Sequence, residues 1–136
     1  MKNKETVLPA PVLIVEDEAM IRSRLDLILS ELGYSQDMLI FAKNLAEAMQ
    51  IIASQPISLA LVDLGLPDGN GITLIEKLRG IDESALILVI SAWSTQQSLF
   101  ASIKAGANGY VLKERDDAEV LMSIRSILRG GAPIDP

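Results

Sequence analysis

Five short apolar runs recur along the chain, each separated from the next by an amphipathic stretch, and this alternation constrains the fold more than any other feature. The runs are Val12-Leu13-Ile14-Val15, Met38-Leu39-Ile40-Phe41, Ile57 to Val62, Leu86 to Ile90, and Gly109-Tyr110-Val111-Leu112. Continuously apolar runs suit strands covered on both faces, as in parallel sheets; a strand with one wet face alternates instead. The stretches between them have helical spacing. Ile21, Leu25, Ile28, Leu29 and Leu32 recur on one face of the first. Asn44, with Glu47 three residues later, reads as the N-cap and N3 pair of a second helix. Gly71 to Leu78 reads as a short third helix with Ile72, Ile75 and Leu78 inward. A fourth begins near Ser94-Thr95 and stops at Ala105-Gly106, a glycine C-cap. Asp116 with Glu119 opens the last, whose apolar face is Val120, Leu121, Ile124, Ile127 and Leu128.

Five βα units with short connections predict an α/β fold, a five-stranded parallel sheet doubly wound by five helices. In such folds ligands bind beyond the carboxyl ends of the strands, at the switch point in strand order. That edge is where the chemistry gathers. Glu16-Asp17 closes the first strand, Asp63 the third, Ser91 the fourth and Lys113 the fifth. A carboxylate closing a run as apolar as Ile57 to Val62 is not there for packing, because desolvating its charge without a partner costs several kcal/mol.

Length and composition narrow the classes of function. The 136 residues fit one domain with a real core, and 49% apolar with 22% charged residues is ordinary for a globular protein. A net charge of -6 disfavours nonspecific binding to nucleic acid or anionic lipid. No segment approaches the roughly 18 to 20 apolar residues that span a bilayer, and no signal-peptide stretch follows Met1 to Val7, so a cytoplasmic location is expected. There is neither cysteine nor histidine. Disulfides, thiol chemistry, a Ser-His-Asp triad, histidine metal ligands and a phosphohistidine on this chain are all excluded. A metal must be held by oxygen, which points to magnesium, manganese or calcium.

Carboxylates brought close together cannot all ionise cheaply, and a divalent cation resolves their repulsion. Asp17 and Asp63 are candidate direct ligands, the Gly65 carbonyl a candidate third, and Glu16 a ligand directly or through water. Lys113 and Ser91 supply donors for a second anion, a phosphoryl group on Asp63.

Four motifs in order on these strand ends resemble the response-regulator receiver (CheY-like) family of two-component signalling. They are Val15-Glu16-Asp17-Glu18, Leu61 through Gly71, Ile90-Ser91-Ala92, and Gly106 through Lys113. The stretch Lys104 to Tyr110 and the closing Arg129-Gly130-Gly131 look most like receivers joined to LuxR/NarL-type DNA-binding domains. The resemblance implies strand order 2-1-3-4-5 and a division into an N-terminal extension 1–10, a receiver 11–129, and a linker or tail 130–136. It implies Asp63 as phosphoacceptor; Glu16, Asp17, Asp63 and the Gly65 carbonyl around Mg2+ or Mn2+; and Ser91, Lys113 and Tyr110 as phosphoryl-binding and switch residues. Ala92 and Trp93 become neighbours of the site. The implied partner is a sensor histidine kinase or phosphotransfer protein, and the output is a shift of the face formed by the fourth helix, fifth strand and fifth helix. A homodimer on phosphorylation is compatible with it, and DNA would be bound only through a C-terminal domain absent from this chain. No membrane is involved, and the chain would be a switch rather than an enzyme, with phosphotransfer and autodephosphorylation its only chemistry.

Three positions depart from the family pattern. Glu16 stands where Asp is commoner, Gly65 offers no side chain to shield a phosphoryl group, and Glu114 follows Lys113 where many members have proline. Other readings explain less. A haloacid-dehalogenase-like phosphatase would need a second Asp where Gly65 stands, and a flavodoxin-like cofactor module would need a phosphate loop where Glu16-Asp17-Glu18 stands. A receiver-like interaction module that never takes phosphate would not need the whole constellation. Taken singly, Asp63 reads as a turn or cap, Lys113 as an exposed strand end, Ser91 as a local backbone partner and Tyr110 as a core aromatic.

Overall fold

The computed structural model describes residues 8–130; residues 1–7 of the expected extension and 131–136 of the expected tail lie outside the described residues. Strands β1 (Val12–Val15), β2 (Leu39–Ala42), β3 (Leu59–Val62), β4 (Leu86–Ser91) and β5 (Gly109–Leu112) form one sheet. Helices α1 (Ala19–Glu31), α2 (Leu45–Ser54), α3 (Gly71–Ile81), α4 (Gln96–Ala105) and α5 (Asp117–Leu128) alternate with them. The sheet order is β2-β1-β3-β4-β5 and every pairing is parallel, as the family resemblance implied.

Side-chain alternation along each strand builds two cores. Val12, Ile14, Leu59, Leu61, Leu88 and Ile90 face α1 and α5, meeting Leu25, Ile28 and Leu29 and then Val120, Ile124 and Ile127. Leu13, Val15, Ala60, Val62, Ile87 and Val89 face the other way, onto Ala48 and Ile52 of α2 and Leu74, Ile75 and Leu78 of α3. Both faces are covered, hence the unbroken apolar runs.

Helix starts follow the residues that signal them. Asn44 accepts from Glu47 N–H at 2.8 Å, and Asp116 accepts from Glu119 N–H at 2.9 Å. Thr95 accepts from Ser98 N–H at 3.1 Å, and Gly106 ends α4 at φ 119°, a conformation that suits glycine.

Some boundaries differ from the sequence reading. Met38 belongs to a 3-10 turn, Gln36–Met38, so β2 starts one residue later. Ile57 and Ser58 precede β3, because the Ser58 N–H and hydroxyl are taken by the Pro11 and Ala10 carbonyls before the ladder begins. Helix α3 runs on past Leu78 to Ile81; Gly80 inside it costs about 1 kcal/mol relative to alanine, too little to stop a helix anchored by buried Leu74, Ile75 and Leu78. A two-residue antiparallel ladder, Gly65–Leu66 with Gly69–Asn70, was not expected. It folds the segment after β3 back so that Gly71 starts α3 against the Asp63 carbonyl, where a β-carbon would collide with backbone. Among the described residues no helix is long and apolar enough to cross a membrane.

Candidate functional site

The parallel register brings the strand ends level. Val15 pairs with Val62, Val62 with Val89, and Ser91 with Leu112. The next residues, Glu16, Asp63 and Lys113, therefore emerge side by side at the carboxyl edge, near the crevice between β1 and β3 where the strand order reverses.

Lys113 joins the carboxylates. Its Nζ lies 3.0 Å from Glu16 Oε1 and 3.0 Å from Asp63 Oδ2, with the more exposed Glu18 carboxylate at 4.0 Å. Glu16 and Asp63 are 1% and 5% exposed, so this ammonium neutralises charge that water scarcely reaches. Backbone donors complete the cradle: Glu18 N–H donates to Glu16 Oε2 at 3.1 Å, and Gly65 N–H donates to Asp63 Oδ1 at 3.2 Å. Asp17 is exposed at the rim.

Electrostatics follow from two buried carboxylates sharing one cation. Burial pushes the Glu16 carboxyl up to about 6, against the opposing pull of the Glu18 N–H and Lys113. Burial likewise raises Asp63, Lys113 and the Gly65 N–H pull it down, and the nearby Asp17 charge adds to the rise. For Lys113, burial alone favours the neutral amine, but hydrogen bonds and charge from Glu16 and Asp63 outweigh it and hold the ammonium above its ordinary pKa.

One oxygen each from Glu16, Asp17 and Asp63 falls within 4.8 Å of the others. Octahedral magnesium at ~2.1 Å from its ligands spans up to about 4.2 Å between opposite oxygens, so one ion can be reached by all three with little movement. The donor set is all hard oxygen and the local charge is negative, so these residues fit such an ion.

The other sequence candidates lie around this core. Ser91 is buried at the end of β4, and its Oγ accepts from Trp93 N–H at 2.9 Å. Tyr110 donates its hydroxyl to the Trp93 carbonyl at 2.5 Å. Ser91 and Tyr110 thus hold the two polar groups of one residue's backbone. Ala92 is exposed in the same loop. The Trp93 ring lies over Gly65. Asp68 accepts from Leu45 N–H at 2.7 Å and Ala46 N–H at 3.0 Å, capping a helix far from it in sequence; these bonds hold its carboxyl below the usual range.

Sequence reasoning did not find the arginines of α1. Arg22 donates to the Glu16 carbonyl at 2.9 Å, and Arg24 to the Lys113 carbonyl at 2.7 Å. No local pattern marks them, because their partners are backbone groups brought in by the fold.

Residues 12–125 match the family model described as the response regulator receiver domain. The chain belongs to the response-regulator receiver family. It is 35% identical over 118 residues to the transcriptional regulatory protein PhoP of Escherichia coli K12, covering 87% of this chain and 52% of PhoP. The receiver thus spans about half the length of that relative. Among solved structures, it is similar to a CheY-like receiver domain protein from Methanospirillum hungatei, with a TM-score of 0.78 and 27% identity over 87% of this chain and 92% of the other. It is also similar to a Burkholderia pseudomallei response regulator with a phosphorylated aspartic acid, calcium ion and citrate, with a TM-score of 0.75 and 26% identity, covering 89% and 67%. Receivers of this family are signalling switches of two-component response regulators, not enzymes in the ordinary sense.

Proposed function

We propose that Asp63 accepts a phosphoryl group from a phosphohistidine of a sensor histidine kinase or phosphotransfer protein, or from a small phosphodonor, and that the reaction depends on Mg2+ or Mn2+. One observation carries this reading: the Asp63 carboxylate is buried beside Glu16 and Asp17, with Lys113 Nζ 3.0 Å from one of its oxygens. A carboxylate oxygen of Asp63 attacks phosphorus; the new O–P bond forms as the donor's P–N or P–O bond breaks. Glu16, Asp17, Asp63 and the Gly65 carbonyl would hold the ion, which would offset the carboxylate charge and draw charge from the phosphoryl oxygens. The Lys113 ammonium shifts its pairing from the Asp63 carboxylate to the phosphoryl oxygens. The phosphorylated aspartate of the Burkholderia response regulator supports the assignment of the acceptor.

Switching then runs through Trp93. To reach a phosphoryl oxygen, the Ser91 hydroxyl turns away from Trp93 N–H, which releases the loop whose carbonyl is held by Tyr110. The face formed by α4, β5 and α5 shifts in population by as much as the phosphoryl group binds one arrangement better than the other. In a transcriptional regulator this output would act through a separate DNA-binding domain, and phosphorylation would be compatible with a homodimer. The setting is the cytoplasm.

The test is to incubate the protein with magnesium and acetyl phosphate and weigh it by mass spectrometry. One hydroxylamine-sensitive phosphoryl group on wild type and none on Asp63→Asn is expected. No phosphoryl group on wild type, together with no response to beryllofluoride, overturns the reading.

A further inference from the structure

The Lys113 ammonium is only as well placed as the turn that carries it. Lys113 is the first residue after β5, and Glu114, Arg115 and Asp116 are exposed. Toward the sheet, Lys113 N–H donates to the Ser91 carbonyl at 2.8 Å, and Arg115 N–H closes the turn on the Leu112 carbonyl at 3.1 Å. The carbonyls of Lys113 and Arg115 face the other way, to α1, and a single side chain takes both. Arg24 Nη1 donates to the Lys113 carbonyl at 2.7 Å, Nη2 donates to the Arg115 carbonyl, and Nε pairs with Asp117 at 2.5 Å. No other hydrogen bond among the described residues reaches either carbonyl. A planar guanidinium with donors in a fixed fork can hold three groups in one geometry, whereas an ammonium on a flexible stem cannot.

The same helix holds the opposite side of the site, since Arg22 Nη1 donates to the Glu16 carbonyl at 2.9 Å. Glu16 and Lys113 meet at 3.0 Å through their side chains, and α1 fixes the backbone behind each of them. Lysine is long and loses much rotamer freedom when ordered, so a loosened backbone at 113 would spread the ammonium over several positions.

We propose that Arg24 is a positioning residue, which seats the Lys113 ammonium between Glu16 and Asp63 by holding the carbonyls of the 113–115 turn. Its bearing on phosphoryl transfer rests on the receiver reading above. Misplacing a group by about 1 Å at a reacting centre can cost on the order of a hundredfold in rate.

The test compares wild type, Arg24→Met, Arg24→Lys and Asp117→Asn in two measurements. The first needs no phosphorylation: the metal-free protein is treated with a trace of an amine-acetylating reagent, and modification of Lys113 is read by mass spectrometry against Lys43 and Lys77. Arg24→Met should raise Lys113 labelling several-fold, Arg24→Lys should raise it less, and Asp117→Asn, which keeps both carbonyl bonds, should match wild type. The second is the phosphorylation rate constant at saturating magnesium and acetyl phosphate, which Arg24→Met should lower by about tenfold. A lower melting temperature with wild-type Lys113 labelling and wild-type rate, in Arg24→Met or, where that variant does not fold, in Arg24→Lys, overturns the proposal and leaves Arg24 a structural clamp. A wild type that takes no phosphoryl group defeats the phosphoacceptor reading of Asp63 instead, and the labelling contrast still decides whether Arg24 seats Lys113.

Discussion

The indole of Trp93 rests on the bare backbone of Gly65: a β-carbon added there would stand 3.2 Å from Trp93 Cζ2. Gly65 lies two residues after Asp63 and Trp93 two residues after Ser91, so the ring occupies space that a side chain at 65 would fill. Trp93 is 41% exposed, and its ring yields at small cost. Gly65→Leu should displace it, shift its emission to longer wavelength and change the melting temperature little. In wild type the emission should respond to magnesium and again to beryllofluoride. A flat titration in both cases would show that the ring does not sense the site.

Among the described residues, Lys113 is the one cation bonded to both buried carboxylates. Lys113→Met should destabilise the metal-free protein at neutral pH by about 3 kcal/mol, because Glu16 and Asp63 would be left buried and unpaired. Magnesium should restore part of that loss by binding the folded state. Urea unfolding of both proteins, with and without magnesium, checks this.

Acidity should act through Glu16. Its carboxyl titrates at about 6 when folded against 4.5 in the unfolded chain. Below 4.5 both states hold the proton and its contribution to stability is complete; it is lost as pH rises through 6. That loss is on the order of 2 kcal/mol. In metal-free protein, unfolding at a series of pH values should show this component in wild type and not in Glu16→Gln. Magnesium, which favours the ionised form, should bind more tightly across the same window.

Arg79 ties the end of α3 to the end of α4. It donates to the Gly106 carbonyl at 2.6 Å, the Ala85 carbonyl at 2.7 Å and Asn108 Oδ1 at 3.0 Å. Asn108 Oδ1 also accepts from Ile87 N–H, so the network reaches β4. Arg79→Met should cost about 2 to 3 kcal/mol by leaving these acceptors without a charged donor. Hydrogen exchange should rise first at Ile87 and at the α4 C-cap.

Much of the site was legible because it depends on strand ends. An apolar run that stops at Glu16, Asp63, Ser91 or Lys113 places that residue at the carboxyl edge, whichever partner it later meets. The caps at Asn44, Thr95 and Asp116 were legible for a related reason, since donor and acceptor lie three residues apart. Asp68 on the N-terminus of α2, Trp93 on Gly65 and Arg24 on the Lys113 carbonyl carry no such signal. Each joins groups distant in sequence and ends on backbone atoms, which are chemically the same at every residue. The short ladder at Gly65 and Asn70 was missed because the segment reads as a plain glycine-rich turn.

Glu16, Asp17 and Asp63 bring three negative charges to a pocket where Lys113 is bonded to two of them. A phosphodonor is itself an anion, so on its own it meets a surplus of its own sign. On the proposed function the site would therefore behave as a two-input logic gate: a divalent cation the first input, the phosphodonor the second, and neither alone setting the output.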